Sequence, residues 1–203
     1  MFDTNQKLRV VFLEGKKVNL RPFSKEDVPT ITQWINDPAV REFVSSVFPQ
    51  TEKQEEEWFN KLGSDDKNIV LCIETKDGKP IGIMGIHKIN WIHRTCETGA
   101  VIGEKGYWGR GYGTDAKMHL LRYIFHTLNL HRVGSGVIEF NERSLNYSLR
   151  CGYQIEGRKR QHIFRNGRYW DLIDLGLLYE DWEPAWKEFQ EKTTEITQGE
   201  TNV

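Results

Sequence analysis

The sequence predicts one α/β domain, on three observations. Apolar runs of strand length recur along the chain, and stretches with apolar residues three and four apart lie between them. A glycine loop, Trp108-Gly109-Arg110-Gly111-Tyr112-Gly113-Thr114, joins one such strand pattern to one such helix pattern. The length of 203 residues, with 38% hydrophobic and 28% charged residues, suits a single sizeable globular domain.

Residues 1–13 are mixed and read as an arm. Lys17 to Phe23 alternates polar and apolar, the pattern of a half-buried strand. Ser24-Lys25-Glu26-Asp27 has the form of a capping box, and the helix behind it carries Val28, Ile31, Trp34 and Ile35 on one face. That helix ends near Asp37, because a proline disfavours helix at the residue before it. A second helix runs from about Thr51, a cap-like residue before an acidic first turn, to Leu62. Trp58, Phe59 and Leu62 mark its buried face, and Glu55-Glu56-Glu57 reads as its solvated one. Asn68 to Thr75 and Ile81 to Ile89 form a hairpin around Asp77-Gly78, and a loop over Asn90 to Thr95 leads to a strand from Cys96 to Gly103.

After the glycine loop comes a helix with Ala116, Leu120, Leu121, Ile124 and Leu128 on one face, stopping by Asn129. Arg132 to Phe140 is a strand. Asn141 to Cys151 is a helix closed by Gly152. Tyr153 to Arg160 and Tyr169 to Leu178 are strands that turn at Asn166-Gly167, and a short helix holds Trp182 and Trp186. The polar residues 193–203 read as a disordered tail. The domain therefore spans 1–192.

The glycine loop has the features of a phosphate site. Gly111 and Gly113 lack a Cβ, so an anion can approach the backbone closely. The first N–H groups of the following helix, with the positive end of its dipole behind them, face that anion, and Arg110 adds a charge. The same run also serves as a glycine-rich turn capping an ordinary helix, and the surroundings must decide.

Composition narrows the partners. A net charge of −1 gives no global pull toward nucleic acid or an acidic membrane. The three cysteines, Cys72, Cys96 and Cys151, form no CxxC pair, and the six histidines show no metal spacing, so no metal is expected. With neither an 18-residue apolar run nor a signal-peptide core, the expected location is the cytoplasm.

Several stretches together resemble the GNAT superfamily of acetyl-CoA-dependent N-acetyltransferases. Arg110-Gly111-Tyr112-Gly113 fits the pyrophosphate pattern Gln/Arg-x-x-Gly-x-Gly/Ala, with Trp108 at its first position. Asn141-x-x-Ser144 followed by Gly152-Tyr153 is similar to the family's Asn-x-x-Ser/Ala…Gly-Phe segment. Leu20-Arg21-Pro22 and Trp34-Ile35-Asn36-Asp37-Pro38 are similar to the RimJ/RimL branch, which acetylates protein N-termini.

The resemblance covers roughly residues 15–182, the core of the domain, and implies a mixed, largely antiparallel sheet of six or seven strands with a splayed central pair and about four helices. It implies that acetyl-CoA lies along Ala100, Val101 and Ile102. Its pyrophosphate would rest on Trp108, Gly109, Arg110, Gly111, Tyr112, Gly113 and Thr114, with Asn141 and Ser144 on the pantetheine or adenosine side. Asn141 also suits a helix N-cap. The implied reaction is direct attack on acetyl-CoA by a primary amine. The first expectation for the acceptor is a protein N-terminus. A polyamine, amino-sugar or antibiotic amine is the alternative, and a non-catalytic acyl-CoA-binding module is a further one. A homodimer through the late strands or the Trp182–Trp186 segment is left open.

Acetyl transfer needs a neutral amine. An α-amine with a pKa of about 7.7 is partly neutral at pH 7, whereas a lysine at about 10.4 needs a base or a desolvating pocket. Glu97 is the candidate base, because it precedes Gly111 by the separation found for the catalytic glutamate of histone-acetylating relatives. It also suits a strand glutamate paired with a cation. Where many relatives carry a tyrosine acid, this chain has Ser148, with Tyr147 one place before it. Ser144, one helical turn earlier on the same face, is the alternative donor. His93 and Arg94 are candidates for the acceptor groove, and Trp34, Trp58 and Trp91 for its walls or the core.

Overall fold

The computed structural model describes residues 10–44, 46–64 and 66–200, with side chains described through residue 192. Its strands are β1 Leu13–Glu14, β2 Val18–Pro22, β3 Ile69–Thr75, β4 Pro80–Asn90, β5 Thr95–Ile102, β6 Arg132–Ile138, β7 Gln154–Arg165 and β8 Arg168–Leu178. Its helices are α1 Val28–Asn36, α2 Pro38–Arg41, α3 Glu52–Lys61, α4 Tyr112–His126, α5 Glu142–Arg150 and α6 Tyr179–Glu200. The strands follow the order β1-β2-β3-β4-β5-β6-β8-β7. β5 and β6 run parallel, while β1–β2, β2–β3, β3–β4, β6–β8 and β7–β8 are antiparallel.

The mixed α/β class stands as read, but the sheet has eight strands rather than six or seven. The extra one, β1, falls in the expected arm. Two residues are too few to show a period, and only the pairing Leu13↔Leu20 and Glu14↔Asn19 defines it. α2 was also unforeseen. Asp37 does end α1, but its side chain then accepts the Ala39 N–H at 2.9 Å, and Pro38 opens a new turn at the first helical position. The arm's residues 1–9, residues 201–203 and the side chains from 193 onward lie outside the described residues; over 193–200 the backbone continues α6, where a disordered tail after a short helix was expected. Among the described residues, no helix is long and apolar enough to cross a membrane.

The chain divides into two compact units. The first comprises residues 1–86 and 100–120. Its core is formed by Val18, Leu20, Ile31, Leu71, Ile73, Ile81, Met84 and Ile86 with Ala116, Met118 and Leu120 of α4, all buried. Each such large side chain contributes about 1.5–3 kcal/mol through burial. Within this unit lies a buried ionic group. Arg21 donates through Nη1 and Nη2 to both Asp27 oxygens at 2.7 Å and through Nε to Glu74 at 2.7 Å. Asp27 closes the turn before α1 as the capping box predicts, accepting the Ser24 N–H at 2.9 Å.

α3 starts as read, with Thr51 and Gln54 capping each other. One reading fails there. Glu55 is buried rather than solvated, because it stands on the face of Trp58, Phe59 and Leu62 at helical spacing. Burial pushes its carboxyl above the ordinary carboxylate value.

The second unit comprises residues 87–99 and 121–203. β6 is paired on one side to β5 (Thr95↔Arg132, Cys96↔Val133, Glu97↔Gly134) and on the other to β8 over its whole length. Val133, Val137, Ile173, Leu175 and Leu177 are buried along these strands. Trp182 of α6 is fully buried and packs on Phe125 at 5.3 Å and Trp186 at 5.5 Å between ring centroids, so these two tryptophans serve the core and its edge. β7 and β8 turn at Asn166 (φ 50°) and Gly167 (φ 76°) as read, but β7 runs on past Arg160 to Arg165 and β8 starts at Arg168, so the loop is a two-residue hairpin. β7 is mostly exposed and irregular between Ile155 and Gly157 and between Lys159 and Ile163.

Two stability predictions follow from the buried carboxyls. Burial alone raises Asp27, but the Arg21 guanidinium and the Ser24 N–H more than offset it and hold the carboxyl below its usual value. A depressed native value stabilises the fold above the unfolded value of about 3.9 and loses that contribution as pH falls through the native one. Asp27→Asn should therefore cost about 3 kcal/mol in urea unfolding at pH 7, with variant and wild type converging in acid. For Glu55 the sign is opposite. Its charge costs stability at neutral pH, and that cost disappears as pH falls below the unfolded value of about 4.3. Glu55→Gln should melt higher than wild type at pH 7, with the gap closing toward pH 4.

Candidate active site

In the first unit the glycine loop is held at both ends. At its start, the Trp108 indole N–H donates to the Ile102 carbonyl at 2.7 Å, and its ring meets Phe43 edge-on at 6.2 Å. The tryptophan that replaces the family's Gln/Arg thus pins the loop to the end of β5. At the other end, α4 begins at Tyr112, whose ring stands edge-on to Tyr107 at 4.9 Å. Asp115 N–H bonds back to the Gly111 carbonyl at 3.0 Å, so the N–H groups of Tyr112, Gly113 and Thr114 form the unpaired first turn that every helix has.

Gly111 sits at φ 84°, where a side chain is disfavoured. Gly113 is different. A Cβ there would lie 3.8 Å from Ile102, an ordinary contact, so the protein itself does not require a glycine at this helical position. Glycine in a helix costs about 0.5–1 kcal/mol relative to alanine. The bare backbone at Gly113 fits close approach by a ligand, and the loop as a whole fits a diphosphate.

Ala100, Val101 and Ile102 end β5, with Ala100 exposed and the other two half-buried. The structure thus brings Ile102 together with Trp108 and Gly113. Arg110 is exposed and donates to the Gly106 carbonyl at 3.1 Å, so its charge is partly turned back on the loop. Lys17 lies beside the loop, its Nζ 3.0 Å from the Arg110 carbonyl. Sequence reasoning missed it, because 93 positions separate the partners and no local pattern marks the pair.

An open cleft of about 620 Å³ in this unit is lined by residues 33, 34, 36 and 37 and by residues 103–106. Trp34 forms its floor. A Cβ on Gly103 would stand 2.0 Å from the indole, and the indole N–H donates to Glu104 at 3.0 Å. Both carboxylates of the cleft are paired, Asp37 with Lys105 at 2.6 Å and Glu104 with Lys79 at 2.9 Å. Trp58 instead packs against Phe23, at 5.5 Å between centroids.

In the second unit Glu97 is half-exposed, and Lys88 lies 3.0 and 2.9 Å from its two oxygens. Lys88 has φ 52° inside β4, a conformation that non-glycine residues rarely take. Asn141 caps α5, its Oδ1 accepting the Ser144 N–H at 3.1 Å. Ser144 is half-buried and Ser148 is buried. The Tyr147 hydroxyl is enclosed, and desolvation pushes it well above its ordinary value, which argues against Tyr147 as an acid. Tyr153 is likewise buried and raised, its hydroxyl 2.7 Å from Thr98 Oγ1. Arg94 does not face a groove, since its Nε donates to the Asn129 carbonyl at 2.6 Å and braces the end of α4. Trp91 is exposed at the β4–β5 turn. Among the described residues, no cluster of His, Cys, Asp and Glu is arranged to hold a metal.

Comparison with known proteins agrees with this geometry. The profile described as Acetyltransferase (GNAT) domain matches residues 17–154. Spermidine N(1)-acetyltransferase of Escherichia coli (strain K12) is 27% identical over 158 residues, covering 78% of this chain and 84% of the relative. A Bacillus subtilis (strain 168) protein, YdaF, named provisionally as a ribosomal N-acetyltransferase, is 34% identical over 107 residues, covering 53% of this chain and 58% of that one. The crystal structure of spermidine N-acetyltransferase from Vibrio cholerae in complex with CoA and spermine superposes with a TM-score of 0.77 at 25% identity, covering 82% of this chain and 98% of that one. A glycine loop opening α4, the GNAT profile across more than half the chain and the fold shared with a CoA-bound relative lead to one conclusion: the chain belongs to the GNAT family and is an acetyl-CoA-dependent N-acetyltransferase.

Proposed function

We propose that this enzyme acetylates a primary amine of a small polyamine of the spermidine type. The observation that carries the reading is the likeness, in sequence and in fold, to spermidine N-acetyltransferases over most of both chains. It moves the polyamine from the alternative to the leading acceptor, ahead of a protein N-terminus. A feature of the second unit supports it. The exposed Glu97 carboxylate already holds a primary ammonium, that of Lys88, which is the chemical group that a polyamine would present.

The residue roles follow the resemblance. Trp108 to Thr114 would hold the cofactor diphosphate, the backbone of Ala100 to Ile102 its thioester arm, and Asn141 and Ser144 the pantetheine or adenosine side. Bound acetyl-CoA supplies an activated acetyl group and a thiolate leaving group. Glu97, released from Lys88 by the incoming ammonium, accepts the proton that the amine must lose before it attacks. Ser144 is the candidate donor, while a thiolate leaves readily enough near neutral pH that little help is needed. Cys72, Cys96 and Cys151 are all buried, with no CxxC pair among them, which fits work in the reducing cytoplasm.

A second reading keeps the cofactor and takes a protein N-terminal amine, in the manner of the RimJ/RimL branch. The Bacillus subtilis relative favours it, as does the open cleft beside Trp34, whose acids are already neutralised by lysines.

Mass spectrometry of products from a panel of spermidine, spermine, amino-sugars and short peptides decides the acceptor. The expected outcome is monoacetylated polyamine at a kcat/KM at least about tenfold above any peptide, and the reverse order would install the second reading. Glu97→Gln should lower kcat roughly 100-fold at pH 7 while CoA affinity changes little, the loss shrinking as pH approaches the amine's own pKa. A kcat unchanged across a pH series would remove Glu97 as the base.

A further inference from the structure

The glycine loop has a second cation that comes from the opposite end of the unit's sequence. The ammonium of Lys17, just before β2, donates to the Arg110 carbonyl at 3.0 Å. It lies 5.7 Å from the centroid of the Tyr112 ring and 3.5 Å from where a Cβ on Gly111 would stand. The side chain is exposed. An ammonium carries three donors, so one bond to a carbonyl leaves capacity for an anion.

Lys17 is held there by an unusual use of Asp115. A carboxylate in the first turn of α4 should repel a diphosphate bound at the same helix end. Asp115 is instead buried, and its charge is taken up mainly by backbone, with His119 Nε2 3.7 Å from Oδ1. Oδ2 accepts the N–H groups of Lys17 at 2.8 Å and Val18 at 3.0 Å, while Oδ1 accepts that of Lys16 at 3.2 Å. The approach is close enough that a Cβ on Gly15 would lie 2.5 Å from Oδ2. The acid thus fixes the backbone that carries the lysine, and the lysine's charge faces the loop in its place.

We infer that Lys17 is a ligand of the CoA diphosphate and that Asp115, admitted by Gly15, is its positioning residue. The inference rests on placing the diphosphate at Trp108–Thr114. With Arg110 partly turned onto the Gly106 carbonyl, Lys17 supplies the second positive charge that a diphosphate calls for. The ribose 3′-phosphate of CoA is the other anion within the same ligand, and the test separates the two.

Isothermal titration with CoA and with 3′-dephospho-CoA should be run on wild type, Lys17→Met, Lys17→Arg, Gly15→Ala and Gly113→Trp, with a melting curve for each. Lys17→Met should weaken both ligands about tenfold and flatten the dependence of affinity on salt, while Lys17→Arg stays within about threefold of wild type. Gly15→Ala, which keeps every charge, should weaken both ligands and also flatten the salt dependence, because the lysine is displaced. Gly113→Trp should abolish binding. Wild-type affinity in Lys17→Met, with binding lost in Gly113→Trp, would overturn the role of Lys17 alone. A loss in Lys17→Met seen with CoA but not with 3′-dephospho-CoA would move the contact to the 3′-phosphate and refute the diphosphate assignment. Retained binding in Gly113→Trp would remove the loop placement itself.

Discussion

The carboxylate of Asp115 gathers three consecutive backbone N–H groups, and the arrangement of the first unit depends on it. The bonds are charge-assisted, which makes them stronger than ordinary amide pairs. They join the entry of β2 to the first turn of α4 across nearly a hundred positions of chain, so one carboxylate ties together segments far apart in sequence. The glycine loop is then fixed at two points, by Asp115 behind it and by the Trp108–Ile102 bond ahead of it. A loop held in this way would not have to be ordered by the proposed diphosphate, and that saving would appear as affinity.

The second unit is organised by a different compromise. Lys88 adopts a left-handed conformation inside a strand, which costs of order 1–3 kcal/mol, and its ammonium meets Glu97. Backbone strain of this kind persists only where the surroundings enforce it. Here they set a cation against the one carboxylate that the sequence singled out as a base. The pairing reading and the base reading of Glu97 are therefore compatible, because a carboxylate that already receives an ammonium is shaped to receive another.

Much of the fold was legible because its signals are local. Thr51, Asn141 and Asn166-Gly167 each act through neighbours within three residues, and each does what its chemistry forecast. The glycine loop is local in the same sense. Glu55 was misread although the information was present, since positions 55, 58, 59 and 62 share one helical face and the run of three acids drew attention away from that spacing. α2 was missed because Pro38 can end one helix or begin another, and only the Asp37 cap decides. Lys17 and Lys88 could not have been found. Each owes its position to a carboxylate or carbonyl that folding alone brings near, and neither lies in a motif.

The outermost strand, β7, has its own consequence for how copies of the chain meet. Among the described residues its twelve positions border only β8 in the strand order, so no described strand lines the other side of this long ribbon. Arg158, Lys159 and Arg160 stand in a row at its middle, and two breaks in register twist it. Arg158 is stapled inward to Glu139 and Asp171, and Lys159 to Asp174. A further strand laid along this border would meet that kinked stretch, where two of the three cations are already paired. The border is thus long but uneven, and its two register breaks and inward ion pairs make it a poor template for a further strand.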